Sequence, residues 1–346
     1  MDTKKPFVIP VFLPHHGCLH RCIFCDQNAI TDNTQNAFDV EQIRLNISEF
    51  LGYRSIRRHP VQIAFFGGNF LGLQPDRIKT LLDLATEFVR AGKADSIRFS
   101  TRPDTIDEQR LNLITSWPVS TIEIGAQSMD DRILAMANRG HTAMDTQAAV
   151  SRLKARKYEI GLQIMVGLPG DDETKALATG LKIVDLAPDF VRIYPTLVLA
   201  GSPLGRIYQK GNYSPWSLER SVAVVKNLFL LFKKNHIHVI RMGLQPSQEL
   251  EKKSTLLAGP YHPAFGHLVH EQIFLDMAST ALESEKGPHK SVFIKVHPKS
   301  ISKARGLNNK NVIVLKKIFQ IESIDILADP LLAEDTLSVQ CRDIRE

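Results

Sequence analysis

The stretch Thr121-Ile-Glu-Ile-Gly-Ala-Gln127 decides the fold, because apolar and polar residues alternate along it. In an extended strand the apolar residues share one face, while Glu123, Gly125 and Gln127 share the other. A parallel sheet that is covered by helices on both faces is apolar on both. This strand therefore favours a barrel, whose outer face packs against helices and whose inner face is hydrated or holds a ligand.

Similar runs alternate with helical patterns from the N-terminus to about residue 240, at the spacing of βαβ units. The runs are Phe7–Leu13, Val61–Phe66, Ser96–Thr101, Thr121–Ala126, Glu159–Met165 and Phe190–Thr196. The polar face recurs on three more of them, with Arg98 and Ser100, with Gln163, and with Arg192 and Tyr194. Among α/β folds, the pattern favours a partial barrel over an open doubly wound sheet.

The composition excludes a fibrous or wholly disordered chain. The sequence has 346 residues, of which 43% are apolar and 23% charged, so it can bury a sizeable core. Pro10 and Pro14 interrupt and end the apolar N-terminal stretch, which fits neither a signal peptide nor a membrane span. We therefore expect a cytoplasmic protein.

The positive charge is concentrated near the C-terminus. The formal net charge is +6, yet Lys286–Lys317 contains nine basic residues and no acidic one, so the rest of the chain is slightly acidic. This segment predicts an anionic partner. It also contains a compact pattern: a strand Ser291–Val296, two helices separated at Gly306, and a strand Ile321–Leu327. We expect domains over residues 1–245 and 246–346.

Three of the four cysteines lie in Cys18-Leu-His-Arg-Cys22-Ile-Phe-Cys25, directly after the first strand. Such close spacing and odd number do not suit a secreted disulfide framework. Three thiolates on one loop can hold three irons of a [4Fe–4S] cluster and leave the fourth iron open for a substrate or cofactor. The alternative is a structural zinc site completed by His15, His16 or His20. Cys341 is distant in sequence and is not expected to be a ligand.

The cysteine loop, with Phe24 before its last cysteine, resembles the CxxxCxΦC signature of the radical S-adenosylmethionine (SAM) superfamily. Later motifs resemble the subgroup that contains the Elongator catalytic subunit and the oxygen-independent coproporphyrinogen oxidases. These motifs are Gly67-Gly68-Asn69-Phe70, Thr101-Arg-Pro-Asp104, Glu123-Ile-Gly-Ala-Gln-Ser128, Arg139-Gly-His-Thr142 and Gly167-Leu-Pro-Gly170. The C-terminal part looks like the extension of the Elongator-like branch.

The resemblance implies a partial (β/α)6 TIM-type barrel with a small α/β extension, and two cofactors, a [4Fe–4S] cluster and SAM, at the C-terminal ends of the strands. It implies Cys18, Cys22 and Cys25 as cluster ligands. The residues implied to contact SAM or its surroundings are Phe24, Gly67, Gly68, Ser100, Gln127, Arg139 and Gln163, with Arg139 beside the SAM carboxylate. Gly67 and Gly68 would let the backbone approach the methionine group.

Some positions depart from the family pattern. Relatives commonly have Ser or Thr at the place of Asn69 and Glu at the place of Ser100. Coproporphyrinogen oxidases have a further cysteine at the place of Gln27, which counts against that activity. The Elongator relatives carry an acetyltransferase domain, for which we expect no room in this chain.

Two regions suggest a substrate. Around the turn between the two C-terminal helices, Lys303, Arg305 and Lys310 could bind phosphate groups together with helix N-terminal amides. Aromatic residues interleaved with cations after the sixth strand would suit base stacking. The aromatic cluster is Tyr194, Tyr208, Tyr213 and Trp216, and Arg241, Gln245, Tyr261 and His262 follow it in sequence. A solvated basic face and ordinary packing are the alternative interpretations.

The first hypothesis is thus a radical SAM enzyme, Elongator-like, that cleaves SAM reductively to a 5′-deoxyadenosyl radical and abstracts hydrogen from an RNA base, in tRNA modification. It needs an external electron donor and no membrane. The catalytic residues beyond the cofactor ligands, the product and the oligomeric state are not legible in the sequence. The alternatives are radical SAM chemistry on a tetrapyrrole or another small anionic metabolite, and a non-catalytic zinc or iron–sulfur binding module.

Overall fold

The computed structural model describes residues 6–27, 39–53, 60–252, 254–285 and 290–342. They form two compact units. Unit 1 is the described part of Met1–Ser217 with Leu228–Tyr261, and unit 2 is the described part of Leu218–Asn227 with His262–Glu346. The boundary at 245/246 that the sequence suggests stays a prediction.

Within the described residues, the strands follow in chain order. They are β1 (Phe7–Phe12), β2 (Val61–Phe66), β3 (Ser96–Thr101), β4 (Val119–Gln127), β5 (Glu159–Val166), β6 (Phe190–Pro195), β7 (Val198–Leu199), β8 (His238–Met242), β9 (Leu256–Ala258), β10 (Ser291–Val296), β11 (Ser323–Ala328) and β12 (Leu337–Arg342).

The α-helices are numbered in the same way. They are α1 (Val40–Gly52), α2 (Pro75–Arg90), α3 (Glu108–Ile114), α4 (Asp131–Met136), α5 (Ala143–Ala155), α6 (Glu173–Leu186), α7 (Pro203–Gln209), α8 (Leu218–Lys234), α9 (Gln248–Glu251), α10 (Phe265–Ser284), α11 (Ile301–Arg305) and α12 (Lys310–Phe319). None of the helices in the described ranges is long and apolar enough to cross a membrane.

Seven strands of unit 1 form one parallel sheet in the order β1-β2-β3-β4-β5-β6-β8. The sheet is curled, as contacts on its inner face show: side chains of strands that are not neighbours meet there. The Arg192 guanidinium of β6 lies 5.6 Å from the ring centroid of Phe66 on β2, and that of Arg98 on β3 lies 5.2 Å from the centroid of Phe190 on β6. The predicted partial barrel is confirmed. β8 adds a seventh strand where the sequence shows the strand-like Ile237–Arg241.

The alternation along the strands explains this curl. Ile122 and Ile124 of β4 and Phe99 of β3 are fully buried on the outer, helix-covered face. On α2, which begins with Pro75, one stripe of apolar side chains is buried in the same way. Burying each such side chain contributes about 1.5–3 kcal/mol, so the outer layer fixes the register, and the polar side chains are left on the inner face.

Unit 2 contains a three-stranded sheet in the order β11-β10-β12, in which β11 is parallel and β12 antiparallel to β10. Its core includes Val292, Ile294, Ile324 and Leu315. The first predicted strand has the predicted bounds, and the second begins two residues later than predicted. The third strand, β12, was missed. Cys341 lies on it and packs against this core.

Candidate active site

The three clustered cysteines lie on the loop that follows β1, at the carboxyl-terminal edge of the sheet. Two tight turns shape this loop: the Cys18 amide donates to the carbonyl of His15 at 3.3 Å, and the Cys25 amide donates to that of Cys22 at 3.1 Å. Cys22 is buried, and Cys18 and Cys25 are half-buried. Desolvation is the largest cause that raises the pKa of Cys18 and of Cys25, and the charge of the nearby Cys22 is the second. The pKa of Cys25 is raised to about 12. The three sulfur atoms are therefore close neighbours in a poorly hydrated place.

This donor set fits an iron–sulfur cluster. A buried thiol becomes a thiolate only when a positive partner offsets its desolvation, and metal binding does so by displacing the proton. Each thiolate of a [4Fe–4S] cluster binds a different iron, so the ligands surround a cube rather than a point. Among the described residues, no three His, Cys, Asp or Glu side chains are arranged to hold a single metal ion.

Glycines hold the cysteine loop against the Gly67–Asn69 turn. Gly67 and Gly68 both have positive φ, of 74° and 56°. A Cβ on Gly68 would lie 2.3 Å from the carbonyl oxygen of His16, and one on Gly17 would lie 2.1 Å from that of Asn69. At Gly68 and Gly17, the space that a side chain would need is thus taken by protein backbone. The close approach here is between two loops of the chain.

Asn69 is buried and fastens these loops to β3. Its Nδ2 donates to the Gly17 carbonyl at 3.0 Å. Its Oδ1 accepts hydrogen bonds from the Thr101 hydroxyl at 2.6 Å, the Thr105 hydroxyl at 2.9 Å and the Arg102 amide at 3.0 Å. A Ser or Thr side chain is too short to make this set of bonds. The departure from the family pattern at this position therefore has a structural reason in this chain.

Gln27 ties the end of the cysteine loop to the same turn. Its side-chain Oε1 accepts hydrogen bonds from two backbone amides, that of Gly68 at 2.8 Å and that of His15. Its backbone amide donates to the Nε2 of His15 at 3.0 Å. The residue that replaces the extra cysteine of the coproporphyrinogen oxidases is thus built into the loop.

Two buried guanidinium groups lie beside the cysteines. Arg139 donates from Nη1 to Sγ of Cys22 at 3.0 Å and from Nη2 to the Gly125 carbonyl at 2.5 Å. Arg102 forms a two-point ion pair with Asp104, with both distances 2.9 Å, and also donates to the Arg139 carbonyl. Arg139 Nε and Arg102 Nη1 are buried and have no hydrogen-bond partner in the described residues. Buried donors are rarely unpaired, and an anionic acceptor would satisfy both of these.

His141, from the same motif as Arg139, faces these guanidiniums. Its Nε2 lies 3.3 Å from the Ala126 carbonyl, and its Nδ1 is buried and has no partner in the described part of the chain. Burial, then the charges of Arg139 and Arg102, lower its pKa to about 4. His141 is therefore neutral at pH 7, and Nδ1 can accept a hydrogen bond.

The remaining predicted SAM contacts lie on or near the inner face. Gln163 Nε2 donates to Gln127 Oε1 at 3.1 Å, and a β-bulge gives Gln127 a φ of 65°. A Cβ on Gly125 would lie 2.8 Å from the side-chain Nε2 of Gln127, so the absence of a side chain at Gly125 makes room for the Gln127 side chain. Ser100 is half-buried on β3. Phe24 packs on a small apolar cluster of Ile133, Ala137 and Leu168.

An ionic layer lies deeper on the inner face, toward the amino ends of the strands. Glu123, which is almost fully buried, lies 2.7 Å from Arg98 Nη2 and 2.6 Å from Arg192 Nε. Gly161 leaves room for the Phe190 ring, on which the Arg98 guanidinium rests. The sequence shows these residues as a polar face, but not that they pair. The opposite charges of Arg98 and Glu123 on the neighbouring strands β3 and β4 are the signal that could have found part of the layer; Arg192 reaches Glu123 across β5.

Two of the aromatic residues noted after the sixth strand serve the loop that follows β5. The Tyr213 hydroxyl donates to the Gly167 carbonyl at 2.6 Å, and the buried Trp216 indole lies over Gly167. These contacts agree with the packing alternative for this pair.

The basic turn of unit 2 is occupied by a carboxylate of its own. Glu271 of α10 accepts from the Leu307 amide at 2.6 Å and lies 3.8 Å from Lys310 Nζ, and its side chain is 5% exposed. Lys303 is half-buried, and Arg305 and Lys310 are exposed. A phosphate would therefore compete with Glu271 for the amide, so the amide part of the predicted phosphate site is already satisfied.

Comparisons with known proteins agree with this geometry. The model of the Radical SAM superfamily matches residues 12–179, and the Radical_SAM C-terminal domain model matches residues 188–274. The chain belongs to the radical SAM superfamily. The family uses a [4Fe–4S] cluster and SAM, which confirms the predicted cofactor class, whereas the roles of individual residues stay predictions.

The relatives are Elongator-like, as predicted. The chain is 32% identical over 128 residues to the tRNA uridine(34) acetyltransferase of Methanocaldococcus jannaschii, covering 36% of this chain and 24% of that protein. It is 25% identical over 232 residues to the protein of the same name from Dehalococcoides mccartyi, covering 58% of this chain and 50% of that protein.

Among solved structures, the archaeal Elp3 of Methanocaldococcus infernus with residues 1–46 deleted superposes with a TM-score of 0.63. It is 21% identical and the match covers 78% of this chain and 63% of that one. This likeness shows the fold. The chain spans a quarter to a half of the length of these two acetyltransferases.

Proposed function

We propose that the chain is a radical SAM enzyme that holds a [4Fe–4S] cluster with Cys18, Cys22 and Cys25 and abstracts hydrogen from a base of an RNA, with tRNA as the expected substrate. The observation that carries the enzymatic part is that three neighbouring thiols, one buried and two half-buried, lie beside two buried guanidiniums, each of which retains an unpartnered donor in the described residues. When bound, the cluster would pass one electron, taken from an external donor, to SAM, whose sulfonium would accept it and be cleaved reductively.

The residues of the chain have separate tasks in this proposal. Arg139 donates to Cys22 and so stabilises negative charge on that sulfur. Its Nε, with Arg102 Nη1, would bind an anionic acceptor, for which the SAM carboxylate is the candidate. Neutral His141 offers an acceptor, Nδ1, that suits an ammonium or hydroxyl donor.

The inner face limits where a substrate can enter. The Arg98–Glu123–Arg192 layer, with Phe66 and Phe190, fills the deeper part of the curled sheet. The cysteines and the unpaired donors lie at the other, carboxyl end of the strands, where ligands bind in barrels of this kind. A substrate would therefore approach from that end and stop at the ionic layer.

The RNA part of the proposal has two supports. The matched relatives are named as tRNA-modifying enzymes. The basic residues of Lys286–Lys317 supply charge that would attract phosphate groups. A cytoplasmic location belongs to the same proposal.

The enzymatic part is tested by anaerobic reconstitution of the full chain, followed by dithionite and SAM. We expect about four irons per chain and formation of 5′-deoxyadenosine. Cys22→Ala should abolish both, whereas Cys341→Ala, which removes a thiol of unit 2, should retain both. Equal iron content and product in Cys22→Ala and the parent would overturn the assignment.

The RNA part is tested by the modified nucleosides of bulk tRNA from cells with and without the protein. A nucleoside that disappears with the protein, and returns with the parent but not with Cys22→Ala, identifies the target. An unchanged nucleoside profile would contradict a tRNA substrate while leaving SAM cleavage in place.

A further inference from the structure

Two arginines lie side by side on the inner face of the curled sheet. Arg192 of β6 and Arg241 of β8 are register partners on neighbouring parallel strands. Tyr194 follows two residues after Arg192 on the same face, and its hydroxyl lies 3.5 Å from Arg192 Nη1. All three side chains belong to unit 1.

The charges of this group are not balanced. Glu123 is shared between Arg98 and Arg192, so one carboxylate serves two guanidiniums. Arg241 adds a third, whose hydrogen bonds go to neutral acceptors: the Gly243 carbonyl at 3.1 Å and Gln245 Oε1 at 2.8 Å. Among the described residues, no carboxylate forms an ion pair with Arg241.

Burial makes this excess of positive charge unfavourable. Arg192 is largely buried and Arg241 is half-buried. Desolvation is the main cause that lowers the pKa of Arg241; the neighbouring Tyr194 acts in the opposite direction, and the positive charge of Arg192 lowers the pKa further. An anion between the two guanidiniums would relieve both effects, because charge-assisted hydrogen bonds strengthen as water is excluded.

The neighbouring surface can hold the rest of such a ligand. The Arg192 guanidinium lies over Phe66, whose ring centroid is 6.3 Å from that of Phe12. Phe12, the register partner of Phe66 on β1, is 43% exposed. The arginines therefore stand beside an accessible apolar wall, so a ligand with an anionic group and a flat or apolar body fits this arrangement.

We propose that Arg192, Tyr194 and Arg241 form a subsite that binds an oxyanion of the substrate, a carboxylate or a phosphate group, inside the partial barrel. The subsite rests on the proposed function only in that its ligand is taken to be the substrate. The two guanidiniums donate to the oxyanion, and the tyrosine hydroxyl completes its shell.

The test uses the full chain, without SAM or reductant, and titrates acetate and inorganic phosphate separately by calorimetry in a buffer of low ionic strength. We expect saturable binding of at least one anion and a loss of about tenfold or more in affinity in Arg241→Gln, as for a lost charged hydrogen bond. Tighter binding of acetate would assign a carboxylate, and tighter binding of phosphate would assign a phosphate group.

Matched variants separate the subsite from general charge effects. Arg90→Gln removes an exposed guanidinium at the end of α2 and should bind as the parent does. Arg241→Lys keeps the charge and should retain most of the affinity, and Tyr194→Phe should lose a few-fold. Equal affinity of Arg241→Gln and the parent, or no saturable binding of either anion, would overturn the subsite. Since no SAM is present, this result is independent of whether the chain cleaves SAM.

Discussion

The carboxyl end of the curled sheet in unit 1 and the basic turn in unit 2 both gather cations around a loop, but they differ in what those cations already bind. In unit 1, Arg139 Nε and Arg102 Nη1 are buried and have no partner in the described residues. In unit 2, Glu271 takes up the Leu307 amide and lies near Lys310.

The difference shows that the local count of basic residues is a poor guide to an anion site. Unit 2 contains the most basic segment of the sequence, yet its turn brings its own carboxylate to the candidate phosphate position. In unit 1, two guanidiniums lie beside the cysteines, and each has a buried donor that no described residue satisfies. Unsatisfied buried donors gain much more from a ligand than solvated ones do.

The largest expected effect concerns the buried acid of the ionic layer in unit 1. Glu123→Ala would leave Arg98 and Arg192 buried without their shared carboxylate, so we expect the free energy of unfolding to fall by about 3–5 kcal/mol. Urea denaturation measures this. Glu108→Ala, which removes an ion pair with Arg156 at 2.6 Å but leaves an exposed site, should cost at most about 1 kcal/mol. Similar costs for the two variants would show that the ionic layer is well hydrated.

The next effect concerns a carboxyl of unit 1 in the loop after β5. Burial raises the pKa of Asp171 to about 6, and its Oδ1 has no partner in the described residues. Because the folded pKa lies above the unfolded value, protonation stabilises the fold as pH falls through 6 toward 4. Asp171→Asn mimics the protonated form, so it should be more stable than the parent by roughly 3 kcal/mol at pH 8 and close to it near pH 4.

Urea denaturation across this pH range measures the effect, and Asp172→Asn is the control. The hydrogen bond from Lys175 lowers the pKa of Asp172, so this variant should lose stability at neutral pH, with the opposite sign. A pH-independent difference between Asp171→Asn and the parent would mean that Asp171 is ordinarily hydrated.

A smaller effect is expected from the acid of unit 2. Glu271→Ala removes the acceptor of the Leu307 amide, so we expect a loss of about 1–2 kcal/mol, less than for Glu123 because the facing Lys310 is exposed. Glu271→Gln keeps an acceptor oxygen and should recover most of this loss. If Glu271→Ala costs as much as Glu123→Ala, the contrast between the two regions fails.

The smallest effect concerns RNA binding. Lys310 lies 3.8 Å from Glu271, whereas Lys303 and Arg305, both in the described ranges, form no ion pair with it, so Lys303→Gln and Arg305→Gln, each made singly, should weaken tRNA binding more than Lys310→Gln does. The slope of log affinity against log salt should fall by about one for each phosphate that the variant no longer neutralises. Exposed Lys93→Gln is the control. An equal effect of Lys310→Gln would show that Glu271 does not screen that lysine.

Much of the fold could be predicted because the decisive signals are local. The strands Val61–Phe66, Ser96–Thr101 and Ser291–Val296 have the predicted bounds, since alternation and flanking turn residues define them. The spacing of the three cysteines can likewise be seen within one short segment of the sequence. The strand β12 was missed although apolar and polar residues alternate along Leu337–Arg342, and its place depends on pairing with β10, which a single sequence does not show.

The details of the candidate site depend on contacts between distant segments, which a single sequence does not show. Asn69 joins Gly17 to Thr101 and Thr105, and nothing near it in sequence indicates these partners. Glu271 reaches Leu307 from another helix in the same way. For both residues the sequence shows a polar side chain, and only the fold shows which backbone groups it satisfies.

The most direct test of the central claim is electron paramagnetic resonance of the reduced, reconstituted full chain, recorded with and without SAM. The account predicts the signal of one reduced [4Fe–4S] cluster per chain, with a spectrum that changes when SAM binds at the iron that no cysteine holds. Absence of the signal at full iron loading, or a spectrum that SAM leaves unchanged, would contradict the account.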